Sequence, residues 1–142
     1  INWFDARAYA KWRTEVTGVL HRLPTEVQWE KAGRGADGRL FPWGDRFDPS
    51  LCKMADSRSG RRQPEPVGSF PTDRSLYGVR DLAGGIREWC RDVVPGLGTR
   101  IVRGGSWLTT SRTCRLANRF GYEPNLCKPY LGFRLVRDEL RR

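Results

Sequence analysis

A chain of 142 residues with 38% apolar and 30% charged residues has the size and composition of one globular domain with a buried core. Its formal charge of +10 comes mostly from single, scattered arginines, with doublets only at Arg61-Arg62 and Arg141-Arg142. A diffuse solubilising surface is therefore expected, and specific nucleic-acid binding is not. No apolar run approaches the length of a membrane span, and no apolar signal region follows Ile1, so a cytoplasmic location is the expectation.

Sixteen glycines and nine prolines point to long ordered loops more than to a helical bundle. Cys52, Cys90, Cys114 and Cys127 show no C-x-x-C spacing, and His21 is the single histidine. No familiar zinc pattern results, and reduced thiols are expected.

The chain opens on a helix signal, as a fragment of a longer protein would. Asn2 and Asp5 form a relative of the capping box, and Phe4, Ala8, Ala10, Trp12 and Val16 follow rough helical spacing, with Ala6 and Tyr9 beside them. Gly18 supplies the stop. A short extended piece, residues 19–23, leads to Pro24. A second helix starts at Thr25, which pairs with Gln28 as a capping box, and Val27, Trp29 and Ala32 are placed to pack inward.

Phe41-Pro42-Trp43-Gly44 reads as an aromatic turn. Residues 45–66 form a loop long enough to require an organising ion or a function. Residues 66–71 read as extended. Residues 100–102 and 130–136 read as strands, and 108–129 as a second polar loop.

Between these loops lies D-L-A-G-G-I-R-E-W, residues 81–89. Two carboxylates, Asp81 and Glu88, stand seven residues apart across Gly84-Gly85. Hard cations take such carboxylate and carbonyl oxygens, and calcium tolerates irregular geometry. An alternative is a metal-free cluster in which Arg87 pairs with Glu88 or Asp81.

Eight motifs in order carry a resemblance over residues 1–136: N-W-F-D-A-R-A-Y-A-K-W, R-L-P-T-E-V-Q-W-E-K-A-G-R-G, F-P-W-G, P-V-G-S-F-P, Y-G-V-R-D-L-A-G-G-I-R-E-W, R-I-V-R-G-G-S-W, C-R-L-A-N-R and L-G-F-R. Together they resemble the formylglycine-generating enzyme, or sulfatase-modifying factor, family. The resemblance implies an α+β fold of the irregular C-type-lectin-like kind, with two helices packed on short antiparallel sheets and long ordered loops. It implies one domain over residues 1–142 that lacks the family's N-terminal segment. Residues 73–81 are also similar to bacterial members fused to serine/threonine kinases, so a fused effector is an expected partner.

The family pattern implies calcium at Asp81, the carbonyls of Gly84 and Ile86, and Glu88. A second family calcium site would need asparagine near Lys53 and is expected to be lost. Family enzymes oxidise a substrate cysteine to formylglycine with copper(I) held by two thiolates. Counted from Trp107, those positions are Thr109 and Cys114. Threonine is no thiolate, and if Arg115, Ala117 and Arg119 set the alignment, Cys114 also falls outside the pair. Cys114 is thus the single catalytic candidate, with a buried structural thiol as its plainer role and Cys127 as a possible neighbour.

Copper and formylglycine formation are therefore not expected. The expectation is a non-catalytic recognition domain for a protein or peptide, with copper-dependent oxidation or a diversified receptor as alternatives. Its groove would include Trp107, Thr109, Ser111, Arg112, Asn118, Arg119, Tyr122 and Asn125, a donor-rich and aromatic set.

Overall fold

The computed structural model describes residues 1–138; the Arg141-Arg142 doublet lies outside them. Helix α1 spans Trp3–Thr17 and helix α2 spans Glu26–Arg34. Both start on complete capping boxes. The Asp5 N–H donates to Asn2 Oδ1 at 2.9 Å and the Asn2 N–H to Asp5 Oδ2 at 2.9 Å. At α2 the Gln28 N–H donates to Thr25 Oγ1 at 3.1 Å and the Thr25 N–H to Gln28 Oε1 at 2.9 Å. Gly18 ends α1 at φ 68°, a left-handed cap that glycine adopts without penalty.

Strands β1 (His21–Arg22), β2 (Arg87–Val93), β3 (Arg100–Arg103), β4 (Arg119–Tyr122), β5 (Leu131–Gly132) and β6 (Val136–Arg137) form two sheets. One is the antiparallel pair β1-β6; the other has the order β4-β3-β2-β5. The β2-β5 pairing is parallel, so the larger sheet is mixed and not wholly antiparallel as expected. The single strand expected over 130–136 is two short strands in different sheets. Residues 66–71 turn, with the Ser69 N–H donating to the Pro66 carbonyl at 3.2 Å.

Alternation along the central strands distributes the core, because successive side chains point to opposite faces of a sheet. Trp89 and Val102 pack with Trp3, Ala6 and Leu23 on the α1 face. Cys90 and Ile101 pack with Trp29, Leu82 and Leu116 on the α2 face. A third cluster (Phe41, Cys52, Met54, Ala83 and Cys114) sits under the loops. Two buried indoles anchor the helices: Trp3 Nε1 donates to the Cys90 carbonyl at 2.9 Å, and Trp29 Nε1 to Glu88 Oε2 at 2.7 Å.

The inward stripes differ from the expected ones. On α1 the buried residues are Trp3, Ala6 and Ala10, whereas Phe4, Tyr9, Trp12 and Val16 are exposed. Burial follows the tryptophan and the small residues that let the helix approach the sheet closely. On α2, Trp29 is buried but Val27 is 76% exposed. That side of the first turn lies away from the sheet, toward which Glu26 and Glu30 reach Arg103. Among the described residues no helix is long and apolar enough to cross a membrane.

Candidate functional site

The segment 81–88 is shaped by a residue that the sequence reading passes over. Asp73, 1% exposed, accepts hydrogen bonds from the backbone N–H groups of Leu82 at 3.2 Å, Ala83 at 3.2 Å and Gly84 at 3.3 Å. Burial pushes its carboxyl up to about 7, with the Asp81 charge adding to the rise and the three N–H groups opposing it. Asp81 turns the chain at φ 56°, in the left-handed region that aspartate tolerates, and its Oδ2 accepts from the Gly68 N–H at 2.8 Å. The double glycine serves close approach: a Cβ on Gly84 would stand 2.2 Å from the Lys53 carbonyl oxygen. That same oxygen accepts from the Gly85 N–H at 2.8 Å. A second glycine pair closes from the other side, the Gly105 N–H donating to the Ala83 carbonyl at 3.1 Å.

Asp81, Gly84, Ile86 and Glu88 all line one cavity of about 320 Å³, together with Lys53 and Arg134. Val67, Phe70 and Phe133 form part of its apolar wall. Glu88, 5% exposed, is bound on both oxygens. Arg134 donates to Oε2 at 2.5 Å and to Oε1 at 2.7 Å, and Trp29 Nε1 donates to Oε2 at 2.7 Å. Burial works against the Arg134 charge, but Glu88 raises its pKa above the ordinary arginine value, with Asp73 and Asp81 contributing.

The partner of Glu88 is therefore Arg134, from the final motif, and not Arg87. Arg87 is on the opposite face of β2, its guanidinium 3.8 Å from the Phe120 ring centroid and donating to the Tyr122 hydroxyl. Asp81 forms no ion pair among the described residues. The donor set thus fits a cation in part: one carboxylate that accepts a backbone N–H but no ion pair, and nearby loop carbonyls, beside a carboxylate that an arginine already neutralises. Lys53 lies in the cavity wall and pairs with Glu65 at 3.0 Å.

The expected groove residues spread over three places. Near the glycine pairs, Trp107 donates its N–H to the Gly85 carbonyl at 2.9 Å, while its indole nitrogen is buried without a partner. Thr109 closes a turn: its Oγ1 accepts from the Ser106 N–H at 2.8 Å and donates to the Ser106 carbonyl at 3.1 Å. Ser111 opens a short 3₁₀ turn, Ser111–Cys114, in which Arg112 is exposed. Beside α2, Asn118 donates to the Thr113 carbonyl at 3.3 Å and Arg119 pairs with Glu26 at 2.9 Å. At the α1 end, Tyr122 packs edge-on to Trp89 and Asn125 is exposed. None of the eight lines the cavity that holds the cation candidates.

Cys114 is fully buried, whereas Cys127 is exposed. The neighbour of Cys114 is Cys52, likewise fully buried. Hydrogen bonding to the Cys114 thiol, burial and the Asp73 charge all push the Cys52 thiol up, holding it protonated. Sequence spacing carries no signal for this pair, because its members come from the two loops that lack regular pattern.

The geometry can be set beside known proteins. Residues 1–139 match the family model described as "Sulfatase-modifying factor enzyme 1-like domain". The chain is 34% identical over 150 residues to mouse "Inactive C-alpha-formylglycine-generating enzyme 2", covering 94% of this chain and 46% of that protein. It is 30% identical over 157 residues to "Serine/threonine-protein kinase Pkn1" of Chlamydia trachomatis, covering 97% of this chain and 24% of the kinase. PvdO from Pseudomonas aeruginosa superimposes with a TM-score of 0.85 at 25% identity, covering 98% of this chain and 60% of that one. This chain spans about half the length of the mouse relative and a quarter of the kinase. With the motifs and the α+β fold in agreement, the chain belongs to the sulfatase-modifying factor, or formylglycine-generating enzyme, family.

Proposed function

We propose that this chain is a non-catalytic recognition domain of its family, serving a protein or peptide ligand or a fused effector such as a protein kinase. One observation carries the reading: the Thr109 hydroxyl is closed onto the Ser106 backbone, and the nearby thiol, Cys114, is fully buried. Copper(I) oxidation of a cysteine needs two converging thiolates open to substrate. Cys52 is the thiol Cys114 meets, and it is enclosed and held protonated. The donors present do not fit a copper oxidase. The mouse relative's name, "Inactive C-alpha-formylglycine-generating enzyme 2", and the kinase relative support the reading. The ligand surface is proposed around Trp107, whose indole N–H is unpartnered, and the exposed Arg112 five residues further along the chain. Incubated with copper(I), oxygen and a cysteine peptide, the protein should leave the peptide unchanged by mass spectrometry. A peptide aldehyde formed in its presence would establish the oxidase alternative.

Calcium is proposed as a stabilising ion in the cavity lined by Asp81, with the carbonyls of Gly84 and Ile86 as further donors. Glu88 contributes only in competition with Arg134. Calcium at a hundredfold above its Kd should raise the melting temperature over chelator by about 5–10 °C. Asp81→Gly suits the positive φ of this position and should abolish that difference. Equal melting of the wild-type chain with calcium and with chelator would sink the calcium reading.

A further inference from the structure

Cys52 and Cys114 are both 0% exposed and belong to one cluster with Phe41, Met54 and Ala83. They come from the two long loops whose regular structure is limited to short pieces. Cys52 ends the 3₁₀ turn Pro49–Leu51, and Cys114 ends the turn Ser111–Cys114. Backbone bonds already draw the two loops together: the Ala55 N–H donates to the Thr109 carbonyl at 2.9 Å. The double glycine seats the Lys53 carbonyl beside the same cluster. The Cys114 thiol makes a long contact, 3.7 Å to the Thr110 carbonyl, and the Cys52 side chain packs in the same buried cluster.

We infer that Cys52 and Cys114 are a cross-linking site, closing to a disulfide when the chain folds in the presence of a small-molecule disulfide oxidant. One cysteine thiolate attacks the oxidant, expelling one of its thiolates and leaving a mixed disulfide on the protein. The second cysteine attacks the protein sulfur of that bond, forming the Cys52–Cys114 bond and expelling the second thiolate. Two protein thiols are oxidised, the reagent disulfide is reduced to two small thiols, and the two protons end on those. The exchange belongs to folding. In the finished structure both sulfurs are enclosed, and a buried protonated thiol is a poor nucleophile. Once formed, the bond is shielded from reductant by the same apolar cage, and it closes a loop of about 60 residues that gains much from closure.

The test is refolding of the whole chain in oxidised and reduced glutathione. Thiol titration in denaturant should fall from four to two, with the loss of two hydrogens in intact mass. A non-reducing peptide map should join the Cys52 and Cys114 peptides, and the melting temperature should rise by about 10 °C, a gain removed by reductant under denaturing conditions. Cys127→Ser, at an exposed position, should keep the link while excluding intermolecular bridges. Four thiols after complete refolding in that buffer, or a bridge through Cys90 or Cys127 instead, would overturn the assignment.

Discussion

Arg103→Met should lower stability by about 3 kcal/mol and the melting temperature by about 6–12 °C. Arg103 is 1% exposed and comes from the Arg-Gly-Gly-Ser-Trp motif. Its guanidinium reaches Glu26 Oε1 at 2.8 Å, Glu30 Oε2 at 2.6 Å and the Leu116 carbonyl at 2.6 Å. It thus ties α2 to β3 and to the loop before β4. Methionine fills much of the volume but leaves the carbonyl without its donor and removes the shared cation from two carboxylates. The loss stays below the upper range for a broken buried pair because each glutamate keeps a second partner. Arg119 pairs with Glu26 and Arg34 with Glu30. Calorimetry of the two proteins checks this, and a melting change below 2 °C would show that the bridge contributes little.

The second large effect is a pH dependence centred on Asp73. Its folded carboxyl titrates at about 7, whereas an unfolded aspartate titrates near 4. Between those values the folded chain holds a proton that the unfolded chain has released. The contribution to stability is therefore complete below about pH 4 and is lost as pH rises toward 7, by about 4 kcal/mol in total. Asp73→Asn has no such titration. Its amide oxygen can still accept from Leu82 and Ala83, but the bond from the Gly84 N–H is lost. Urea unfolding from pH 4.5 to 7.5 should therefore show the wild type losing stability relative to Asp73→Asn as pH rises. Parallel profiles for the two proteins would refute the assignment of the slope to Asp73.

Both effects sit on residues whose neighbours are distant in sequence, and this divides what could be read from the chain. The helix starts were legible because a capping box is local: Asn2 with Asp5, and Thr25 with Gln28, lie three residues apart and bond as their spacing predicts. Strand β3 was legible as an apolar run before glycine. Strand β2 was not, because Arg87-Glu88-Trp89-Cys90 carries charged and apolar side chains together. It is buried on both faces, and the charges are satisfied by partners elsewhere in the chain: Glu88 by Arg134, Arg87 by Phe120 and Tyr122. The inward face of α1 departs from its apolar stripe for a related reason. Periodicity locates apolar stripes, but the sheet selected the face with Trp3, Ala6 and Ala10 and left Phe4 and Trp12 outside.

At the site the division is the same. The motif sequence by itself determined the family, the two capped helices and the four residues that come to line one cavity, because these rest on order and local spacing. Threonine at position 109 likewise offers no thiolate whatever the fold. The tertiary structure alone decided that Arg134 neutralises Glu88, that Asp73 gathers the N–H groups of the glycine loop, and that Cys114 packs in one cluster with Cys52. Each is a contact between irregular segments, where no repeating dihedral links sequence distance to spatial distance. Such partners are selected by desolvation and packing of the whole chain, since a buried charge or thiol finds its neighbour only once the loops around it have closed.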